Sequence, residues 1–168
     1  MSAALALKTR LAQPKIVAAP GAPDSLTARL VQQAGFDATY MTGFGATSVR
    51  LGTPDLGLLT LTEMADHARN MVRAVDIPVI ADADTGYGGP LNISRTVEED
   101  LQAGVAALHL EGQLAPKRCG QLAGIRLTPA DEAALRLKAA VTARGRNDLL
   151  IIGRTDALSV AGINEAAD

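Results

Sequence analysis

The apolar positions of this chain alternate between two spacings. Compact runs rich in Val, Ile and Ala read as strands, and between them Leu, Ile and Val recur at the spacing of one helix face. The first run is KIVAA, residues Lys15 to Ala19. It is followed by the turn-forming PGAPDS and then by LTARLVQQAG, in which Leu26, Leu30 and Val31 share a face before Gly35 stops the helix. DATYMTG (Asp37 to Gly43) predicts a second strand, and Thr60 to Val75 a helix with Thr62 as N-cap. IPVIADAD (Ile77 to Asp84) predicts a third strand, and Asn92 to Gly104 a helix ended by its glycine. Val105 to Gly112 predicts a fourth strand. Thr128 to Gly145 predicts a helix with Thr128 as N-cap and Pro129 at its first position, and Asp148 to Ala157 a fifth strand.

Strands that alternate with helices require a parallel sheet, because each crossover returns the chain to the same end. Two architectures satisfy that rhythm, a doubly wound sheet and a β/α barrel. The nearest dinucleotide fingerprint, GFGATS (Gly43 to Ser48), lacks a third glycine and does not follow the first strand, so the doubly wound reading loses its main support. In a barrel, polar residues gather where strands end. Asp82 and Asp84 end the third strand, His109 and Glu111 the fourth, Arg154 and Asp156 the fifth.

Composition narrows the function. The 168 residues are 48% apolar and only 2% aromatic, and 16 Lys plus Arg stand against 18 Asp plus Glu. That balance gives a single globular domain over residues 1–168, with no basic, aromatic-interleaved patch for nucleic acid and no charge to hold an anionic membrane. No apolar run reaches the roughly 20 residues of a bilayer span, and Lys8 and Arg10 follow rather than precede the first apolar stretch, the wrong order for a secretory signal, so a cytoplasmic location is expected. The single cysteine, Cys119, excludes internal disulfides and multi-cysteine zinc sites.

The strand-end carboxylates carry the chemistry. Strand residues two apart project to one face, so Asp82 with Asp84, and His109 with Glu111, point together. Three converging carboxylates require a cation among them, and Mg2+, or Mn2+, is the economical one because it takes oxygen ligands. An Asp that merely caps a loop, and a Glu that meets a lysine, are the plainer alternatives. His109 reads either as a packed, hydrogen-bonded residue or as a functional one, and His67, between Glu63 and Arg69, is expected on a solvated face. In EGQLAPKRCGQLAG (Glu111 to Gly124), Lys117 and Arg118 flank Cys119 and favour its thiolate, and the glycines suggest a loop that moves.

TGFGATSVRLGTPDLGLLTLTEM, ADADTGYGG, LHLEGQLAPKRCGQ and GRTDA, in that order and spacing, resemble the isocitrate lyase and phosphoenolpyruvate mutase superfamily, above all its smaller methylisocitrate and dimethylmalate lyases. The resemblance runs from about Pro20 to Gly162. It implies an α/β fold of the (β/α)8 barrel type with about the first five β/α units in this chain, since such a barrel needs roughly 250 residues. It implies a Mg2+-dependent carbon–carbon lyase that cleaves a 2-hydroxy di- or tricarboxylate through an enolate-like fragment. It also implies a homo-oligomer, tetrameric for a full-length chain.

Position by position, the resemblance implies that Tyr40, Thr42, Gly43 and Phe44 line a substrate-carboxylate pocket, with Tyr40 handling the alcohol proton. Asp82, Asp84 and Glu111 are then metal ligands, direct or through water, and Asp55 helps to hold the metal. Lys117 to Gly120 form the catalytic loop, in which Cys119 delivers a proton to carbon and Gly120 faces substrate, and Arg154 binds the developing enolate oxygen. Superfamily decarboxylases and phosphonomutases resemble the same metal site and commonly lack the loop cysteine. An oxaloacetate decarboxylase, a phosphonomutase and an inactive barrel remnant are the alternatives. Departures from the pattern are Gln121 at the loop histidine, Gly112 at the aspartate after Glu111, Thr42 for serine, and Phe44, whose bulk is expected to narrow the cavity.

Overall fold

A computed structural model describes residues 2–167. Its centre is a five-stranded, fully parallel sheet whose spatial order equals its chain order. The strands are β1 (Gly21–Ala22), β2 (Thr39–Met41), β3 (Val79–Asp82), β4 (Ala107–Glu111) and β5 (Leu150–Arg154). The helices are α1 (Ala3–Leu11), α2 (Ser25–Gln33), α3 (Gly43–Leu51), α4 (Leu61–Ala74), α5 (Pro90–Ala103), α6 (Ala130–Arg144), α7 (Ala157–Val160) and α8 (Ile163–Ala167). Unbroken 1-2-3-4-5 order never reverses, as a doubly wound sheet must, so these strands form an arc of a β/α barrel.

The register sorts the strand residues into two faces. Ala22, Met41, Ala81, Leu108 and Ile151 stand side by side and pack outward among Met64, Met71, Ile93, Val97 and Ala140 of the helices. Along this outer face α2 neighbours α4, α4 neighbours α5, and α5 neighbours α6. The other face carries Tyr40, Ile80, Ala107 and Leu150 in one row, then Asp82, His109 and Ile152, then Glu111 and Arg154. Below it, Ala4 and Leu7 of α1 pack with Ala38, Ala106 and Ala107, flanked by Ile80 and Leu150. The apolar rows are therefore sealed by helices and by α1, and the acidic rows lie at the carboxyl ends of the strands.

Several sequence expectations are corrected. The KIVAA run is not a strand: Ile16 is 89% exposed, and pairing starts at Pro20, whose carbonyl accepts from Tyr40 N at 3.0 Å and from Thr39 Oγ1 at 3.1 Å. Helix α4 is capped by Thr60 rather than Thr62, in a capping box in which Glu63 Oε2 accepts from Thr60 N at 2.8 Å. Thr128 caps nothing with its side chain. Its backbone N–H instead donates to Gly112 O at 2.9 Å, and Pro129 occupies the position before α6. His67 is buried, 8% exposed, with Nε2 2.8 Å from Pro23 O, because α4 turns that face toward the β1–α2 turn. Gly104 ends α5 as expected, with a left-handed φ of 87°.

Candidate active site

Strand β3 ends at Asp82, two residues earlier than its apolar run suggests, because Asp84 takes a φ of +49° and leaves the extended conformation. Tyr87 follows at +59°. Non-glycine residues in this region store strain, which surrounding contacts must hold. Here the neighbouring strand does so: Glu111 N donates to Asp84 O at 2.8 Å, and Ala83 N to His109 O at 3.0 Å. Side-chain alternation along β3 therefore does not place Asp84. A turn does, tied by Asp84 N donating to Asp82 Oδ1 at 3.0 Å.

The start of α3 closes over these carboxylates. Gly43 N donates to Asp82 Oδ2 at 3.1 Å, and a Cβ at Gly43 would lie 2.7 Å from that oxygen and 3.5 Å from Asp84 Oδ1. Glycine is required for so close an approach. Thr42 serves as the N-cap of α3, accepting from Gly45 N at 3.3 Å. Phe44, the next residue of α3, is 53% exposed.

Five carboxylates meet here: Asp55, Asp82, Asp84, Glu111 and Asp156. Lys117 lies between Asp55 Oδ2 at 2.7 Å and Asp84 Oδ1 at 2.5 Å, and is 4% exposed. Arg154 reaches Glu111 Oε1 at 2.9 Å and Asp156 Oδ1 at 2.7 Å. Two cations thus face five carboxylates, so three negative charges stand in excess if all ionise. Asp82, His109 and Glu111 each offer one ligand atom, and the three atoms lie within 4.8 Å of one another. Expected metal residues therefore divide: Asp82 and Glu111 converge with His109, while Asp84 and Asp55 converge on the Lys117 ammonium.

The titration behaviour follows from burial. Burial first, then the charge of Asp82, pushes Glu111 up to about 7, against the opposing pull of Lys117 and Arg154. Asp84 is pushed up by burial and Asp82, with Lys117 opposing, while Lys117 itself is held strongly protonated by Asp84 and Asp82 against its own burial. Burial pushes Tyr40 well above the phenol range, with Asp82 adding to it, and holds His109 below the imidazole range. Tyr40 Oη lies 2.8 Å from His109 Nδ1, so a neutral phenol and a neutral imidazole share one proton contact. A carboxylate excess beside a neutral imidazole, with a cradle that only glycine leaves open, fits a divalent cation.

The loop after β4 is docked on this cluster. Cys119, partly buried, is held by its own N–H, which donates to Asp55 O at 3.1 Å. A Cβ at Gly120 would overlap the Arg154 guanidinium, so the loop backbone lies directly against it. Sequence reasoning missed Gln113, which is 1% exposed and hydrogen-bonds to Glu111, Asp156 and the loop backbone. Its signal was present, since it lies two residues beyond Glu111 and continues the same side-chain alternation.

Parallel strands in barrel order, with an acidic cluster at their carboxyl ends, define a β/α-barrel protein with a site suited to a divalent cation and an anionic ligand. The chain belongs to the phosphoenolpyruvate phosphomutase family, whose sequence profile matches residues 7–168. The 2,3-dimethylmalate lyase of Eubacterium barkeri is 46% identical over 168 residues, covering 100% of this chain and 58% of that protein. A probable 2-methylisocitrate lyase of Corynebacterium glutamicum is 45% identical over 163 residues, 97% of this chain and 53% of that protein. Among solved structures, oxaloacetate acetylhydrolase with the inhibitor 3,3-difluorooxalacetate superposes with a TM-score of 0.93 at 43% identity, over 98% of this chain and 57% of that one. Phosphonopyruvate hydrolase in complex with oxalate and Mg2+ superposes with a TM-score of 0.88 at 30% identity, over 99% of this chain and 57% of that one. The chain spans about half the length of the curated relatives it matches. No helix among the described residues is long and apolar enough to cross a membrane.

Proposed function

We propose that this chain carries the metal-binding and proton-donating part of a carbon–carbon lyase acting on a 2-hydroxy di- or tricarboxylate of the dimethylmalate or methylisocitrate type. The supporting observation is the docking of the cysteine loop, through Asp55 and Lys117, onto a carboxylate cluster that holds excess negative charge. Asp82 and Glu111 would hold a divalent cation, Mg2+ or Mn2+, with His109 beside them left free to take a proton at Nδ1. A cation held there supplies positive charge against the carbanion-like carboxylate fragment and orients the substrate oxygens.

The residues of the chain supply the remaining steps. The alcohol proton leaves toward Tyr40, whose hydroxyl can pass its own proton to His109 Nδ1. The carbon–carbon bond breaks with its electron pair going to the carbon beside the carboxylate, and the alcohol carbon becomes the keto group. Arg154 faces the developing negative oxygen. The Cys119 thiol then delivers one proton to the carbanion carbon, so one proton leaves the substrate oxygen and one enters at carbon.

The test is keto-acid release from 2,3-dimethylmalate, 2-methylisocitrate and oxaloacetate, with Mg2+ or Mn2+ and with a chelator. Cation-dependent pyruvate formation from a 2-hydroxy acid, reduced about a hundredfold or more in Cys119→Ser, is expected. Turnover of oxaloacetate that survives Cys119→Ser would assign a decarboxylase or mutase reaction instead. No keto acid from any substrate, together with no cation binding, identifies an inactive remnant.

A further inference from the structure

Residues 114–127 leave the site and return to it through one narrow base. Leu114 N donates to Arg126 O at 2.8 Å, Thr128 N to Gly112 O at 2.9 Å, and Gln113 and Leu127 form an isolated antiparallel bridge. At this base the Gln113 side chain turns into the site. Its Nε2 lies 2.9 Å from Glu111 Oε2, 2.9 Å from Asp156 Oδ2 and 3.0 Å from Arg118 O, while its Oε1 accepts from Arg118 N at 3.1 Å. We propose that Gln113 is a positioning residue that clasps the cysteine loop onto the carboxylate cluster, and that the clasp tightens when Glu111 turns to a divalent cation.

A primary amide has two N–H donors, and three acceptors surround this one. One acceptor is therefore always served by a shared or weakened bond. Glu111 is the acceptor with another role to fill, since it also offers a ligand atom beside Asp82 and His109. Once its carboxylate is directed to a cation, the two N–H groups are left for Asp156 and for Arg118 O, one each. Asp156 keeps Oδ2 free for this because Arg154 occupies its Oδ1.

Arg118 O belongs to the residue beside Cys119, so the added hydrogen bond acts on the loop backbone next to the thiol. Lys117, one residue earlier, is fixed on Asp55 and Asp84. Cys119 therefore directly follows two anchored residues, and of the two anchors the Gln113 one senses the cation site. The coupling rests on the cation reading given above. The clasp itself does not.

Cys119 is the one thiol of the 168-residue chain, so its alkylation by an uncharged maleimide reports loop release directly. Gln113→Met keeps the length and removes every polar atom. Gln113→Glu keeps the shape and sets a third carboxylate against Glu111 and Asp156. Without metal, labelling is expected to rise about tenfold in Q113M, roughly the worth of one net charge-assisted hydrogen bond, and further in Q113E. Mn2+ is expected to slow labelling of the parent chain severalfold and to leave Q113M unchanged. Mn2+ binding is measured on the same samples by electron paramagnetic resonance, and folding by far-ultraviolet circular dichroism.

Equal metal-free labelling of parent and folded variants overturns the clasp. Mn2+ that binds but does not slow labelling of the parent, or slows it equally in Q113M, overturns the coupling. Absence of Mn2+ binding overturns the cation reading and the coupling together, and the metal-free comparison still decides the clasp. If Q113M fails to fold, Q113E and the parent's Mn2+ response carry the same test.

Discussion

Asp100 shows what burial does to a single residue outside the site. It lies on α5, 5% exposed, and burial, aided by the like charges of Glu99 and Asp82, pushes its carboxyl up to about 7. Because the folded value lies above the unfolded one, the folded protein holds the proton more tightly. The penalty is absent at acid pH, grows as pH rises through the interval between the two values, and is complete above about 7. Asp100→Asn is therefore expected to stabilise the chain by about 4 kcal/mol at about pH 8 and by well under about 1 kcal/mol near pH 4, as read from chemical denaturation at the two pH values. A gain that does not change with pH would show that the residue is not a buried acid. At the same scale, the acidic residues of the site were legible because carboxylates at the ends of apolar runs are conspicuous. Gln113 was not, because a neutral amide shows its worth only through the partners the fold brings to it.

Among the elements, the central strands were legible and the edges were not. VIAD of β3 and ALHLE of β4 are flanked on both sides, and their apolar runs leave little choice of structure. KIVAA has the same composition, yet it lies before an edge strand only two residues long, where no sheet neighbour demands it. Helix α3 escaped notice because GFGATS carries two glycines of poor helix propensity, and the N-cap of Thr42, with the Gly43 N–H bonded to Asp82 at the end of β3, overrides them. The start of α4 offers a direct check. Thr60→Ala is expected to cost about 1 kcal/mol of stability through loss of the capping box, and Thr62→Ala clearly less, in parallel thermal melts. Equal effects would mean that the helix begins elsewhere.

On the scale of the whole molecule, the sheet is an arc with its polar rows open to one side, and Ile152 on that face is 38% exposed. A cation shared by Asp82 and Glu111 would join β3 to β4 across this face, so binding and global stability are linked. Mn2+ at a hundred times its Kd is expected to add about 2.7 kcal/mol, reversed by chelator and absent in the double variant Asp82→Asn, Glu111→Gln. A melting temperature indifferent to Mn2+ would remove the cation from the account.

The amino-acid order alone determined the alternation of strands and helices, the parallel sheet, and the gathering of acids at one end. Each of these follows from local periodicity and from the rule that a crossover returns the chain to the same edge. Only tertiary structure decided which acids share a ligand position and which share a lysine. Asp82 meets His109 and Glu111 through strand register, whereas Asp84 turns out of the strand and meets Lys117 from a loop thirty-three residues later. Charge pairing over such separations depends on distances set by packing, and no spacing along the chain encodes them.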